Sequence, residues 1–201
     1  EGCRLVLTYY RNKEGALGTL RNCRKNGTPR AIIVQLDVKN SRSIKAAFRK
    51  TKAEFKTTAI LINNAGVNVI KPFAKQTEKE IDEQLHTNLG GLMHVTQAFL
   101  PIVKNVIINV ASRAGKVAYS GMAPYCATKF GVRGFTQSLA KEYPRLKIIS
   151  LNPGRIATRM VDFKGRPPAE VAEVVVRVLE GVLKVKSGGD VDVWKVTGRQ
   201  R

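Results

Sequence analysis

Residues 59–66 read Ala59-Ile60-Leu61-Ile62-Asn63-Asn64-Ala65-Gly66, and the reading of this stretch decides the fold. Its first part, AILIN, is a nearly unbroken apolar run of strand length, closed by small and turn-forming residues. A strand apolar on both faces belongs inside a parallel sheet covered by helices on either side. The same pattern recurs outward from it, at residues 106–110 (VIINV) and 147–151 (KIISL). Earlier strands are read at 4–10 (RLVLTYY) and 31–38 (AIIVQLDV), and a last one at 191–196. Amphipathic stretches fill the intervals. Residues 14–25 end near the stop signal Asn26-Gly27. Residues 41–55 place Ile44, Ala47, Phe48 and Phe55 on one helix face. Residues 78–103 contain Gly90-Gly91, which marks a bend or a close contact. Helices are also read at 125–142 and, after Pro167-Pro168, at 169–183. Strands alternating with helices of this length predict an α/β fold: a doubly wound parallel sheet with helices on both faces, in a single domain spanning residues 1–201. No repeat, low-complexity segment or linker interrupts it.

Composition narrows the classes. The 201 residues are 43% hydrophobic, which predicts a packed core rather than disorder. Cys3, Cys23 and Cys126 are odd in number and irregularly spaced. They form neither a disulfide framework nor a metal-ligand pattern, so no metal is expected and reduced thiols fit a cytoplasmic compartment. An organelle matrix would fit equally if a leader has been removed. No apolar run reaches the roughly 18 residues a membrane span needs. The 35 Lys and Arg against 15 Asp and Glu give a net charge of +20. Such a field attracts anions, among them nucleotides and acidic proteins. The basic residues are spread along the chain without aromatic interleaving, so a nucleic-acid partner is not expected.

In open α/β sheets, ligands lie beyond the C-terminal ends of the strands, and polar residues follow those ends in order. Asn63-Asn64-Ala65-Gly66 closes one strand. Asn88 sits inside the long helix. Ser112 follows VIINVA, Tyr125 lies thirteen residues later and Lys129 four beyond it. The four-residue spacing stacks Tyr125 and Lys129 on one helix face. Asn152-Pro153-Gly154 follows KIISL, with Ile156 and Thr158 just after.

This ordered set resembles the short-chain dehydrogenase/reductase family, from the first residue to about Met160. N-N-A-G, the helix Asn, the Ser, Y-x-x-x-K and P-G-x-x-x-T stand in the family's order. QLHTNLGG and YCATKFGVRGFTQSLAKE look most like its 3-oxoacyl-[acyl-carrier-protein] reductase branch. The resemblance implies a Rossmann-like domain and hydride transfer between a nicotinamide cofactor and a carbonyl or secondary alcohol. It makes Tyr125 the proton donor, or the base in the oxidative direction. Ser112 would hold the substrate oxygen, and Lys129 the nicotinamide ribose. Asn88 would open its helix and hold a water that passes protons to Lys129. A free phenol titrates near 10, and the ammonium of Lys129 one turn away is expected to lower that value. Asp37 and Val38 would meet the adenine, Asn64, Ala65 and Gly66 the adenosine side, and Pro153, Gly154, Ile156 and Thr158 the nicotinamide. After the strand at 4–10, Thr8-Tyr9-Tyr10-Arg11-Asn12-Lys13 has no carboxylate at its tip. Arg11 and Lys13 there suit a 2′-phosphate. NADP(H) is therefore expected in preference to NAD(H).

The sequence departs from the family where the family opens with a central strand and a glycine-rich phosphate turn. Without that strand two buried neighbours would lose ladder partners. The expectation is that about 30 further residues, one βα unit, precede Glu1. The join from the 78–103 helix to the strand at 106, and residues 162–168, also read as short. The leading function is reduction of a carbonyl, with 3-oxoacyl thioesters as candidate substrates and an acidic acyl carrier as candidate partner. A sugar, polyol or steroid alcohol dehydrogenase is the alternative within the family. A catalytically inactive nucleotide-sensing or scaffold protein is the alternative outside it. The helices at 78–103 and 125–142 pack subunits in many relatives, which implies a homodimer or homotetramer.

Overall fold

β-Branched residues dominate the strand segments and set them in a sheet, while alternate residues face opposite helix layers. The computed structural model describes residues 2–198. In chain order it holds β1 (Leu5–Tyr9), α1 (Lys13–Lys25), β2 (Ala31–Gln35), α2 (Ser41–Phe55) and β3 (Thr58–Asn63). Then come α3 (Glu78–Leu85), a π-helical turn (His86–Gly91), α4 (Leu92–Phe99), β4 (Val103–Val110) and α5 (Ala123–Glu142). β5 (Lys147–Asn152), α6 (Pro168–Leu179), β6 (Asp190–Asp192) and α7 (Val193–Val196) complete it. Every strand pairing among the described residues is parallel. The architecture is the Rossmann-like α/β arrangement the alternation predicts.

Ile107 and Ile148 face one layer, with Val34, Ile44, Val95, Phe99 and Leu139 from β2, α2, α4 and α5. Their neighbours Ile108 and Ile149 face the other, with Val174 and Val178 of α6. All four isoleucines are fully buried, as strands covered on both faces must be. Local signals start the helices. Asn40 accepts from the amides of Arg42 and Ser43 at the head of α2. Thr77 and Glu80 form a capping box at the head of α3.

The strands form two sheets, β1-β2 and β3-β4-β5-β6. Among the described residues, β1 pairs only with β2 and β3 only with β4. The strand at 59–63, expected to be buried on both faces, is therefore an edge strand, and Ile62 is 46% exposed. Three boundaries are also corrected. The helix read to 103 ends at Phe99 and β4 begins at Val103, because Pro101 has no amide with which to continue the helical ladder, although Leu100 before it is still in helical geometry. The join of residues 100–102 thus has ordinary length. The helix read to 183 stops at Leu179, with Gly181 at φ +76° taking the left-handed position after it. The strand read at 191–196 is β6 followed by a turn of helix.

Candidate active site

Because β3, β4 and β5 are neighbours, the loops leaving their C-terminal ends lie side by side. Ser112 opens a tight turn (Arg113–Gly115), and its Oγ accepts from the Ala114 amide at 3.1 Å. Pro124 in the first turn of α5 starts the helix without needing an amide donor. The helix then carries Tyr125 and Lys129 to the Ser112 turn, and both are buried (8% and 4% exposed). Approach is close: a Cβ on Gly115 would lie 2.6 Å from the Lys129 carbonyl oxygen. Only glycine lets the turn rest on that helix.

Lys129 donates from Nζ to the Val110 carbonyl at 2.9 Å, and Nζ lies 5.6 Å from the Tyr125 ring centroid. Burial disfavours its charged form and brings its pKa down to about 8. The phenol of Tyr125 behaves otherwise than the sequence reading expects. Burial raises its pKa above the ordinary value, and a hydrogen bond with Ser112 offsets only part of that rise. Loss of water around the would-be phenolate thus outweighs any help from the ammonium, which is engaged by Val110.

Asn88 is wholly buried in the π-helical turn. Its Oδ1 accepts from the Val67 amide at 2.8 Å, and its Nδ2 donates to the Val67 carbonyl at 2.9 Å and to Thr128 Oγ1 at 3.2 Å. The side chain therefore fixes the backbone just after Gly66 and touches the neighbour of Lys129. A Cβ on Gly66 would lie 3.4 Å from Asn88 Oδ1 and 3.8 Å from Lys129 Nζ. Asn88, Ser112, Tyr125, Lys129 and Gly66 are thus brought together. Asn64 and Ala65 lie exposed on the same strand end.

The other predicted residues take their own places. Arg11 follows β1, with its guanidinium 4.7 Å from the Tyr10 ring centroid and Nη2 donating to the Tyr10 hydroxyl. Asp37 follows β2 and accepts from the Lys39 amide at 3.0 Å. Val38 packs against Gly91, where a Cβ would come within 2.6 Å of it, so the Gly90-Gly91 pair marks a close contact. Pro153 and Gly154 form the turn after β5, with Gly154 at φ +79°. Ile156 bridges to Arg166, and Thr158 is extended ahead of a short helical turn.

Residues outside the sequence prediction border the site as well. Arg133, Lys116, Asp190 and Asp192 form an ion cluster beside the Ser112 turn, and Trp194 packs against Gly154. The position of Arg133, one turn beyond Lys129, was the only signal for it in the sequence. A separate charged cleft of about 530 Å³, lined by Lys39, Glu83, His86 and His94 among others, opens on α3 and α4 away from these groups. Among the described residues, no helix is long and apolar enough to cross a membrane.

The chain is similar to known proteins in sequence and in fold. An uncharacterized oxidoreductase of Schizosaccharomyces pombe is 32% identical over 160 residues, covering 76% of this chain and 68% of the relative. The 3-oxoacyl-[acyl-carrier-protein] reductase FabG of Staphylococcus aureus is 30% identical over 168 residues, covering 81% and 68%. The structure of a short chain dehydrogenase from Burkholderia cenocepacia in complex with NADP superposes with a TM-score of 0.84 at 25% identity, over 94% of this chain and 84% of that one. With the short chain dehydrogenase family model matching residues 1–168, Ser112 and the buried Tyr125 and Lys129 sit in an oxidoreductase of that family, of which this chain is a member.

Proposed function

We propose that the chain interconverts a ketone and a secondary alcohol with NADP(H). The observation that carries this reading is the burial of Tyr125 and Lys129, one helical turn apart on α5, where the Ser112 turn rests on the Lys129 backbone. A bound nicotinamide would supply or accept the hydride. Ser112 holds the carbonyl oxygen, and Tyr125, whose raised pKa keeps its proton at neutral pH, donates that proton to it. Asn88 orders the Gly66 backbone and, through Thr128, the approach to Lys129; a water held there would resupply protons.

The nicotinamide side of the site fits the cofactor. Lys129 is a buried cation with three donors, and the bond to Val110 uses one of them. It stands beside the bare Gly66 backbone, so ribose hydroxyls suit the remaining donors. Pro153, Gly154, Ile156 and Thr158 lie on the next loop. Asp37, Val38, Asn64 and Ala65 follow the strands on the adenosine side. Arg11 and Lys13 at the β1–α1 junction support NADP(H) over NAD(H). The open edges of β1 and β3 support a further strand–turn–helix ahead of Glu1, seated between them and carrying the phosphate turn.

FabG similarity and the +20 charge favour 3-oxoacyl thioesters on an acidic carrier as substrate. The exposed Phe130 and Leu85 on α5 and α3 support a homodimer or homotetramer through those helices. A cytoplasmic location fits the thiol content. The test is reduction of a diketone and of an acetoacetyl thioester by the full-length protein, with NADPH and NADH compared. NADPH is expected to bind more tightly, and Tyr125→Phe to lower turnover by at least about 100-fold. Undiminished activity of that variant would overturn the mechanism, and tighter NADH binding the cofactor preference. A sugar or steroid alcohol preferred in the panel would move the substrate assignment.

A further inference from the structure

Residues 190–194 lie beyond the stretch that matches the family, and no sequence motif marks them. They nevertheless reach both loops of the site. Arg133 grips the Asp190 carboxylate with two arms, Nε to Oδ1 at 3.0 Å and Nη2 to Oδ2 at 2.7 Å. Its third arm, Nη1, donates to the Gly115 carbonyl at 2.7 Å. Gly115 in turn donates its amide to the Ser112 carbonyl at 2.9 Å and rests on the Lys129 backbone. Lys116, the next residue, pairs with Asp190 at 3.1 Å and Asp192 at 2.8 Å.

The same segment holds the loop after β5. Asn152 donates from Nδ2 to Asp192 Oδ1 at 2.9 Å. The Trp194 ring packs beside Gly154 and lies 5.7 Å from the Arg113 guanidinium. Ser150, the β5 partner of Asp190 in the ladder, also donates its hydroxyl to that carboxylate. Asp190 and Asp192 side chains are only 18% and 7% exposed. Burial alone would push the Asp190 carboxyl up, but hydrogen bonds from Arg133, Ser150 and Lys116 outweigh it and hold the carboxyl well below the usual carboxylate range. The group therefore stays charged throughout the working pH range. A forked, charge-assisted pair of this kind orients its partners far better than an exposed ion pair.

We propose that Arg133 and Asp190 form a clamp that sets the Ser112 turn against the helix carrying Tyr125 and Lys129. They are positioning residues for proton transfer, a role that rests on the oxidoreductase reading above. The Ser112 turn is three residues long, and its own bonds are local, joining Ser112 and Arg113 to residues 114–117, so they do not tie it to α5. Displacement of a reacting group by about 1 Å can lower a rate on the order of 100-fold.

The test uses Arg133→Met, Arg133→Lys and Asp190→Asn in the full-length protein, alone and combined with Ser112→Ala. Hydrogen exchange of the Ala114 and Gly115 amides needs no turnover. It is expected to quicken at least about tenfold in Arg133→Met, while the Ile107 and Ile108 amides stay protected. In NADPH-linked ketone reduction, kcat is expected to fall about 10- to 100-fold with KM for NADPH within about threefold. Arg133→Lys keeps the charge but loses the fork, so it should regain stability without regaining kcat. In the Ser112→Ala background, Arg133→Met should lower kcat by less than about threefold, because no hydroxyl remains to be positioned. Unchanged protection of the turn, or losses that simply multiply, would overturn the clamp. Should Arg133→Met fail to fold, the near-isosteric Asp190→Asn carries the same cycle. A wild type that reduces no carbonyl would overturn the oxidoreductase reading and the positioning role with it. The exchange result would still decide separately whether Arg133 holds the turn.

Discussion

Lys129 keeps its ammonium where the fold leaves almost no water, and stability should register this. Its folded pKa of about 8 lies below the ordinary 10.5. Between these values the unfolded chain binds a proton that the folded chain does not, so stability rises with pH across that window. Below pH 8 the full penalty applies, about 3 kcal/mol on the usual conversion. Lys129→Met removes the penalty but leaves the Val110 carbonyl without its donor, a loss of about 1–2 kcal/mol. The variant is expected to be inactive yet about 1–2 kcal/mol more stable than wild type at pH 7. That gain should become a loss above pH 10.5. Urea unfolding across the range checks the sign; a variant less stable than wild type at pH 7 contradicts the assignment. Tyr125 teaches the related lesson. Spacing predicted a cation near the phenol, but spacing carries no information about how much water burial removes.

At the scale of elements, two glycines look alike in the sequence and differ in the structure. Gly115 stands in the Ser112 turn against the backbone of α5. Gly18 lies within α1, and a Cβ there would meet only the end of Arg21, at 3.7 Å. Gly115→Ala must push the turn off the helix. It is expected to destabilise by about 1–3 kcal/mol and to lower kcat at least about tenfold through the displaced Ser112. Gly18→Ala gains helix propensity and is expected to stabilise by up to about 1 kcal/mol, with activity unchanged. Thermal unfolding with parallel kinetics separates them, and equal effects would show that the close approach of turn and helix is not a constraint. The helix break before Pro101 was legible in principle from its backbone chemistry. The apolar residues on either side obscured it, because a buried strand and a buried helix end are equally apolar.

At the scale of the whole molecule, β1 and β3 each have an edge that no strand among the described residues pairs. Ile62 stands 46% exposed on a strand whose composition suits burial. An open, apolar edge is a template for association. Residues 1–201 expressed alone are therefore expected to bind a hydrophobic dye and to self-associate. A chain carrying a strand–turn–helix ahead of Glu1 should do neither. Light scattering and dye fluorescence on the two chains check this, and a shorter chain that is monomeric and dye-silent would count against the completed sheet. The +20 charge opposes self-association, so the contrast should be clearest at high salt, where charge repulsion is screened.

The sequence alone determined the parallel α/β fold, because two-sided apolar strands and amphipathic helices have few other ways to bury their surfaces. It also set Ser112 at a strand end and Tyr125 and Lys129 on one helix face, since strand ends and helical periodicity are local rules. Only the tertiary structure decided what surrounds them. Arg133 and Asp190 are far apart in the chain and meet because β6 pairs with β5 beside α5. The exposure of Ile62 likewise follows from which strands pair. The pKa values of Tyr125 and Lys129 follow from the water excluded around them. Each of these depends on neighbours brought together by folding, and no local pattern encodes them.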